Sequence, residues 1–113
     1  MEEQKISIDE FKKVEIKIGQ IKSAEKVADA DKLLRLEVDF GDHTRQIISG
    51  IAEYYQNPSD LIGKKCPFIT NLLPRVIKGL ESNGMIMAAA DRENNKLSLL
   101  IVEDFIPAGT KIS

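Results

Sequence analysis

Leu34-Arg35-Leu36-Glu37-Val38-Asp39-Phe40-Gly41-Asp42-His43-Thr44-Arg45-Gln46-Ile47-Ile48-Ser49 is the segment whose reading decides the fold. Leu34, Leu36, Val38 and Phe40 alternate with Arg35, Glu37 and Asp39, the period of two that lines one face of a strand with apolar side chains. Gly41-Asp42-His43 reads as a tight turn. Arg45 to Ser49 supplies the return strand of a hairpin.

Upstream, Val14, Ile16 and Ile18 alternate with Glu15, Lys17 and Gly19, a second half-buried strand. Gly19 inside that pattern predicts a bulge or sharp bend. Ile21, Ala24 and Val27 continue the strand past it, curling it as a small barrel requires. Ala28 to Asp31 reads as a polar connection. Ser7-Ile8-Asp9-Glu10 fits a capping box, so a short helix over 9–13 is expected, with Ile8 and Phe11 on its inner side.

Downstream, Gly50 and Ala52 open a longer connection through Tyr54, Tyr55 and Asn57-Pro58. Ser59 to Ile62 reads as one helical turn stopped by Gly63. Lys65 to Leu72 is a fourth strand, which Pro67 pushes towards an edge or bulge. A loop through Arg75 and Lys78 leads to a fifth strand over Met85 to Ala90, followed by a turn at Asp91 to Asn95. A further apolar run over Leu97 to Val102 and a turn at Ile106 to Gly109 complete the chain. Five short, mostly antiparallel strands with a small helix between the third and fourth match an all-β, five-stranded oligonucleotide-binding (OB) barrel, with short helices and N- and C-terminal extensions. Residues 1–113 form one domain. An N-terminal helix and an apolar C-terminal tail on so small a barrel are expected to pack against a second copy.

With 113 residues and 42% hydrophobic content, the chain can bury a single core, and with aromatics at 5% that core is mostly Ile, Leu and Val. A formal net charge of -2 gives no global attraction to nucleic acid, so any such binding needs local charge placement. One cysteine, Cys66, excludes an internal disulfide and a cysteine-based zinc site and reads as a buried structural thiol. The start of the chain lacks the apolar stretch of a signal peptide, and no run is long enough to span a membrane, so a cytoplasmic, reduced setting is expected.

Little points to catalysis. His43, the single histidine, lies in a turn beside Asp42. Asp29 and Asp31 are two carboxylates in one loop, which falls short of a metal site. Gly79 and Gly84 belong to loop geometry rather than to a phosphate cradle, and Ser49-Gly50 lacks a nucleophile elbow. No catalytic residue, metal or cofactor is expected. The charge distribution is more informative. From Ile62 to Leu80 the chain carries Lys64, Lys65, Arg75 and Lys78, and all 18 acids lie outside that window. Lys32, Arg35 and Arg45 fall on or beside the second and third strands, which often line the open groove of an OB barrel. The scarcity of aromatics there disfavours a single-strand stacking platform and favours recognition of a folded RNA by shape and backbone.

Five ordered motifs carry a family resemblance: Ala30-Asp31-Lys32-Leu33-Leu34, Val38-Asp39-Phe40-Gly41, Arg45 to Ala52, Asn71-Leu72-Leu73-Pro74-Arg75, and Gly79 to Met85. The opening Asp9 to Gly19 and the closing Pro107 to Ile112 fit as well, so nearly the whole chain is covered. It resembles the OB-fold tRNA-binding domain that is appended to bacterial methionyl-tRNA synthetases, occurs free-standing as a structure-specific tRNA-binding protein, and recurs in synthetase cofactors. The resemblance implies a non-catalytic homodimer, joined through the chain ends, that grips the outer corner of folded tRNA and can associate with an aminoacyl-tRNA synthetase. It also implies Lys32, Arg45, Asn71, Arg75, Lys78, Ser82 and Met85 as RNA-facing residues. The chain departs from the family in one loop, where Leu73 and Val76 stand in place of two usual lysines. Fewer cations release fewer counterions and weaken binding at physiological salt. Apolar replacements in a loop also open the alternative of a protein-interaction or chaperone-like module on the same barrel.

Overall fold

The structure, a computed structural model, describes residues 3–113. Its central sheet has five strands in the order β3-β2-β1-β4-β7. These are β1 (Ile16–Val27), β2 (Ala30–Asp39), β3 (Thr44–Ser49), β4 (Lys65–Ile69) and β7 (Met85–Ile86). Two small hairpins stand outside it: β5 (Arg75–Ile77) with β6 (Leu80–Ser82), and β8 (Ala88–Asp91) with β9 (Lys96–Leu99). All pairings are antiparallel. This is the expected all-β, OB-like architecture.

The opening hairpin forms as its alternation dictates. β2 and β3 pair from Leu34↔Ser49 to Asp39↔Thr44. Leu34, Leu36, Val38 and Phe40 all point into the core. The turn closes with the Phe40 N–H donating to the His43 carbonyl at 2.9 Å, and Gly41 supplies the positive φ of 98°. The same cluster takes Ile21 from β1, Cys66 and Phe68 from β4, Ile86 from β7 and Leu99 from β9, with Leu61 from the connecting turn. Cys66 is fully buried, and burial pushes its thiol pKa up to about 11, which suits an inert structural thiol.

Several expectations need correction. Gly19 makes no bulge: its pairing with Cys66 is regular, and the irregularity lies between Ile21 and Ser23. The glycine is there for space, since a Cβ would collide with Val38 and lie 2.8 Å from Phe40 Cε1. The polar connection at 28–31 is shorter than expected: β2 starts at Ala30, and Asp29 turns the chain with φ 61°. The fifth strand is broken at Met87, where the chain leaves β7 for the β8–β9 hairpin. The segment before it, expected as a loop, contains β5 and β6. β4 stops at Ile69 and lies inside the sheet, not at an edge. Pro67 is tolerated because β4 turns its even-numbered backbone groups to β1: Ile21 donates to the Lys64 carbonyl and Thr70 to the Glu15 carbonyl. The missing N–H of Pro67 faces the other way, and its carbonyl accepts from Met87 N–H at 3.1 Å.

The two outer strands of the sheet are joined by β6 and its exit. Asn83 N–H donates to the Gln46 carbonyl and Gln46 Nε2 to the Glu81 carbonyl, both at 2.9 Å. The C-terminal tail fills a second gap. Gly109 N–H donates to the Ile18 carbonyl at 2.7 Å, Ile18 N–H to the Thr110 carbonyl at 2.8 Å and Ile112 N–H to the Ile16 carbonyl at 2.9 Å. Lys65 fastens the same region by donating from Nζ to the carbonyls of Asp104 and Ile106.

At the N-terminus, the helix α1 spans Ile8–Phe11, one residue earlier and shorter than the expected 9–13, and the Ser7 half of the capping box forms: Ser7 Oγ accepts from Glu10 N–H at 3.1 Å. Its expected inner face is not covered within this chain. Ile8 is 65% exposed and Phe11 46%, and Val14, Leu100, Ile101, Phe105 and Ile112 are exposed too.

Candidate nucleic-acid interface

The most basic loop of the sequence folds into the β5–β6 hairpin, with Lys78 and Gly79 at its tip. Both carry positive φ, 51° and 80°, as a two-residue type I′ turn requires. Gly79 adopts this freely. Lys78 does so only because the paired strands on either side hold it. Its ammonium is thereby carried outward on an exposed tip.

The seven residues singled out by resemblance divide into two groups. Lys32, Arg75, Lys78 and Met85 have exposed side chains. Lys32 lies where the β1–β2 register jumps from Lys26↔Leu34 to Val27↔Ala30, so that three residues of β2 bulge out. Arg75 and Met85 share a small recess with Leu72, Leu73 and Ile77.

The other three hold the frame together. Asn71 Oδ1 accepts from Glu15 N–H at 2.8 Å and its Nδ2 donates to the Lys13 carbonyl at 2.6 Å, tying the end of β4 to the segment after α1. Ser82 is only 5% exposed. Its Oγ accepts from Ile48 N–H at 2.9 Å and donates to the Gly84 carbonyl at 3.3 Å, satisfying a backbone donor on β3. Arg45 Nη1 donates to the Thr70 carbonyl at 2.6 Å, and its guanidinium lies 5.5 Å from the Phe40 ring centre.

Some of the charge around the frame is paired. Arg35, read from the sequence as a groove residue, forms an ion pair with Glu25 on β1. Glu15 is held below its ordinary pKa first by the hydrogen bond from Thr70 Oγ1, then by the nearby Lys17, Lys111 and Arg45 charges. Among the described residues no group of three or more metal-ligating side chains converges, and no helix is long and apolar enough to cross a membrane.

The tRNA binding domain family matches residues 16–111, from the start of β1 into the C-terminal tail. The chain belongs to that family. The tRNA-binding domain is 54% identical over 107 residues to the methionine–tRNA ligase of Methanospirillum hungatei, covering 95% of this chain and 15% of the ligase. It is 48% identical over 109 residues to methionine–tRNA ligase 1 of Bacillus anthracis, covering 96% of this chain and 16% of that enzyme. The domain thus spans only about a sixth of the length of these relatives.

Among solved structures, the domain is similar to the crystal structure of a MetRS related protein from Pyrococcus horikoshii, with a TM-score of 0.92 and 38% identity, covering 98% of this chain and all of that one. The chaperone CsaA of Bacillus anthracis superposes with a TM-score of 0.86 at 29% identity, covering 97% of this chain and all of CsaA. Leu73 and Val76, the two departures in the basic loop, are 88% and 73% exposed. Leu73 shares the recess with Arg75 and Ile77, while Val76, paired with Glu81, stands on the other face of the β5–β6 hairpin.

Proposed function

We propose that this chain is a non-catalytic tRNA-binding module that grips the outer corner of folded tRNA, either as part of a methionyl-tRNA synthetase or as its stand-alone equivalent. The observation that carries this reading is the match of the tRNA binding domain family to residues 16–111. The geometry supports a division of labour. Lys32 from the β1–β2 bulge, and Arg75 and Lys78 from the β5–β6 hairpin, present cations to phosphates, and Met85 packs against an exposed base or ribose. Asn71, Ser82 and Arg45 keep that surface in shape. A module of this kind raises a synthetase's local concentration or affinity for tRNA without touching the reacting atoms. It works in the cytoplasm, as a homodimer through the exposed apolar chain ends.

Filter binding at low salt tests this, comparing folded tRNA with single-stranded RNA of the same length. Micromolar binding that prefers folded tRNA, falls steeply with salt and is abolished or strongly weakened by Lys78→Glu is expected. Equal binding of both RNAs, or no effect of Lys78→Glu, overturns it.

A second reading has its own support in the similarity to CsaA and in the exposure of Leu73 and Val76. It makes these exposed apolar side chains of the β5–β6 loop a contact for protein, as in a chaperone-like module. Leu73→Lys together with Val76→Lys separates the two: stronger tRNA binding is expected if this loop faces RNA, and unchanged tRNA binding with loss of an RNA-independent protein partner if it does not.

A further inference from the structure

A cleft of about 370 Å³ lies between the β1–β2 hairpin and the tip of the β5–β6 hairpin. Its walls include Glu25, Lys26 and Arg35 on one side and Lys78 on the other. Three cations and one carboxylate therefore line a single hollow in a chain whose formal net charge is -2. The carboxylate is already engaged, because Glu25 is paired with Arg35 across the β1–β2 ladder. Lys26 has a different position: it precedes the register jump of β1 and β2, its side chain is exposed, and it appears in none of the ion pairs found among the described residues. Lys78 lines the cleft from the hairpin tip, where its φ is 51°.

We propose that this cleft seats one phosphate of the RNA backbone, making Lys26 and Arg35 further RNA contacts alongside Lys78. The inference rests on the tRNA-binding reading and extends it to two residues outside the family motifs. Two jaws from separate hairpins suit a phosphodiester better than a flat basic patch does, since cations approach from opposite sides of the anion. Glu25 acts as a stand-in anion in the free protein. It keeps the Arg35 guanidinium extended and oriented, and a phosphate then competes with it for the same donors. Glu25 thus sets a cost on binding, and removing its charge strengthens binding.

The test measures tRNA affinity as a function of salt for the whole chain and its Lys26→Ala, Glu25→Gln and Lys96→Ala variants. Each phosphate contact contributes about 0.9 to the slope of log K against log salt. Lys26→Ala is expected to reduce the slope by about that amount and to weaken binding roughly 5- to 10-fold at 0.1 M salt. Glu25→Gln is expected to tighten binding, and Lys96→Ala, on the distant β8–β9 hairpin, to leave the slope alone. A Lys26→Ala slope equal to that of the unmodified chain overturns the inference while leaving tRNA binding intact. Absence of tRNA binding by the unmodified chain overturns the functional reading instead. Inorganic phosphate in place of tRNA distinguishes the source: competition only at millimolar phosphate fits a backbone phosphate within RNA, whereas tight phosphate binding that leaves tRNA affinity unchanged makes the cleft a free-anion site and overturns the inference.

Discussion

Arg45 donates from Nη1 to the backbone carbonyl of Thr70 across 2.6 Å, joining the start of β3 to the end of β4. Its Nε donates to Nε2 of His43 at 3.0 Å, which leaves the His43 Nδ1 proton for Asp42 at 2.5 Å. A side chain committed in this way is a brace before it is a phosphate ligand. Arg45→Ala is therefore expected to lower the unfolding free energy by about 1–3 kcal/mol, because the nearly buried Thr70 loses its carbonyl partner. Arg45→Lys recovers little of it, since an ammonium cannot reach Thr70 and His43 with one rigid fork. Urea denaturation followed by circular dichroism checks both. An unchanged midpoint with reduced tRNA affinity would instead make Arg45 purely an RNA contact.

Ser82 and Lys78 offer the complementary contrast, since three residues of one hairpin separate a buried brace from an exposed tip. Ser82→Ala strands the Ile48 N–H, and about 1–3 kcal/mol of stability is expected to go with it. Affinity for tRNA, measured below the melting temperature, should change little. Lys78→Ala should do the opposite: an unaltered thermal transition and a weaker, less salt-sensitive complex. Running the two variants side by side in calorimetry and filter binding decides the assignment.

Gly19 sits where a methyl group has no room, against Val38, Phe40 and Phe68. Since these are buried core side chains on β2, just past its end and on β4, relief would need a backbone shift. Gly19→Ala is expected to destabilise by roughly 1–3 kcal/mol from overpacking. Gly79→Ala meets no neighbour within 4 Å and suffers only its φ of 80°. A larger loss in calorimetry for Gly79→Ala than for Gly19→Ala would contradict this account of the barrel interior.

What the sequence could reveal follows from how local each signal is. The alternation from Leu34 to Phe40 announces a strand because the period of two is written in consecutive residues, and the Ser7 cap involves a partner three residues away. Gly19 was legible as special but not for the right reason, because the rings that exclude a side chain come from residues 40 and 68. The β5–β6 hairpin was missed since its strands are three residues each and its turn, Lys78-Gly79, lacks the usual Asn or Asp. The same distance problem governs the site. Charge marked Arg75 and Lys78, but nothing local marks Asn71 and Ser82 as structural, because their partners Lys13, Glu15 and Ile48 lie 34 or more residues away. Lys26 carried no signal at all until the register jump placed it beside Lys78.

The exposed apolar side chains at the two ends predict self-association. Ile8 and Phe11 on α1, together with Ile101, Phe105 and Ile112 near the other terminus, leave a surface that water covers at a cost in a monomer. Sedimentation equilibrium is expected to give twice the chain mass at micromolar concentration. Phe11→Asp with Phe105→Asp should shift it to the monomer without unfolding the barrel, because neither side chain belongs to the buried cluster. A single-chain mass for the unmodified protein across that range would sink the homodimer.

Glu15 links stability to pH. Thr70 Oγ1 donates to Glu15 Oε1 at 2.6 Å, and Lys17, Lys111 and Arg45 add favourable charge, so the folded pKa lies below the ordinary value of 4.5. A carboxylate with a depressed folded pKa contributes stability that is fully present above its unfolded pKa and disappears as pH falls through the folded one. Thr70→Val keeps the shape of the side chain but removes the donor, and the Glu15 pKa should rise towards its ordinary value. The stability gap between the unmodified chain and Thr70→Val is then expected to be widest near neutral pH and to narrow below about pH 4. Because the Glu15 side chain is 36% exposed, solvent screening keeps the effect modest. Urea midpoints at pH 7 and pH 3, with carboxyl chemical shifts to follow Glu15 directly, provide the measurement. A gap that is constant with pH would assign the loss to the other Thr70 hydroxyl bond, the 3.3 Å contact to the Glu15 carbonyl, whose acceptor does not titrate.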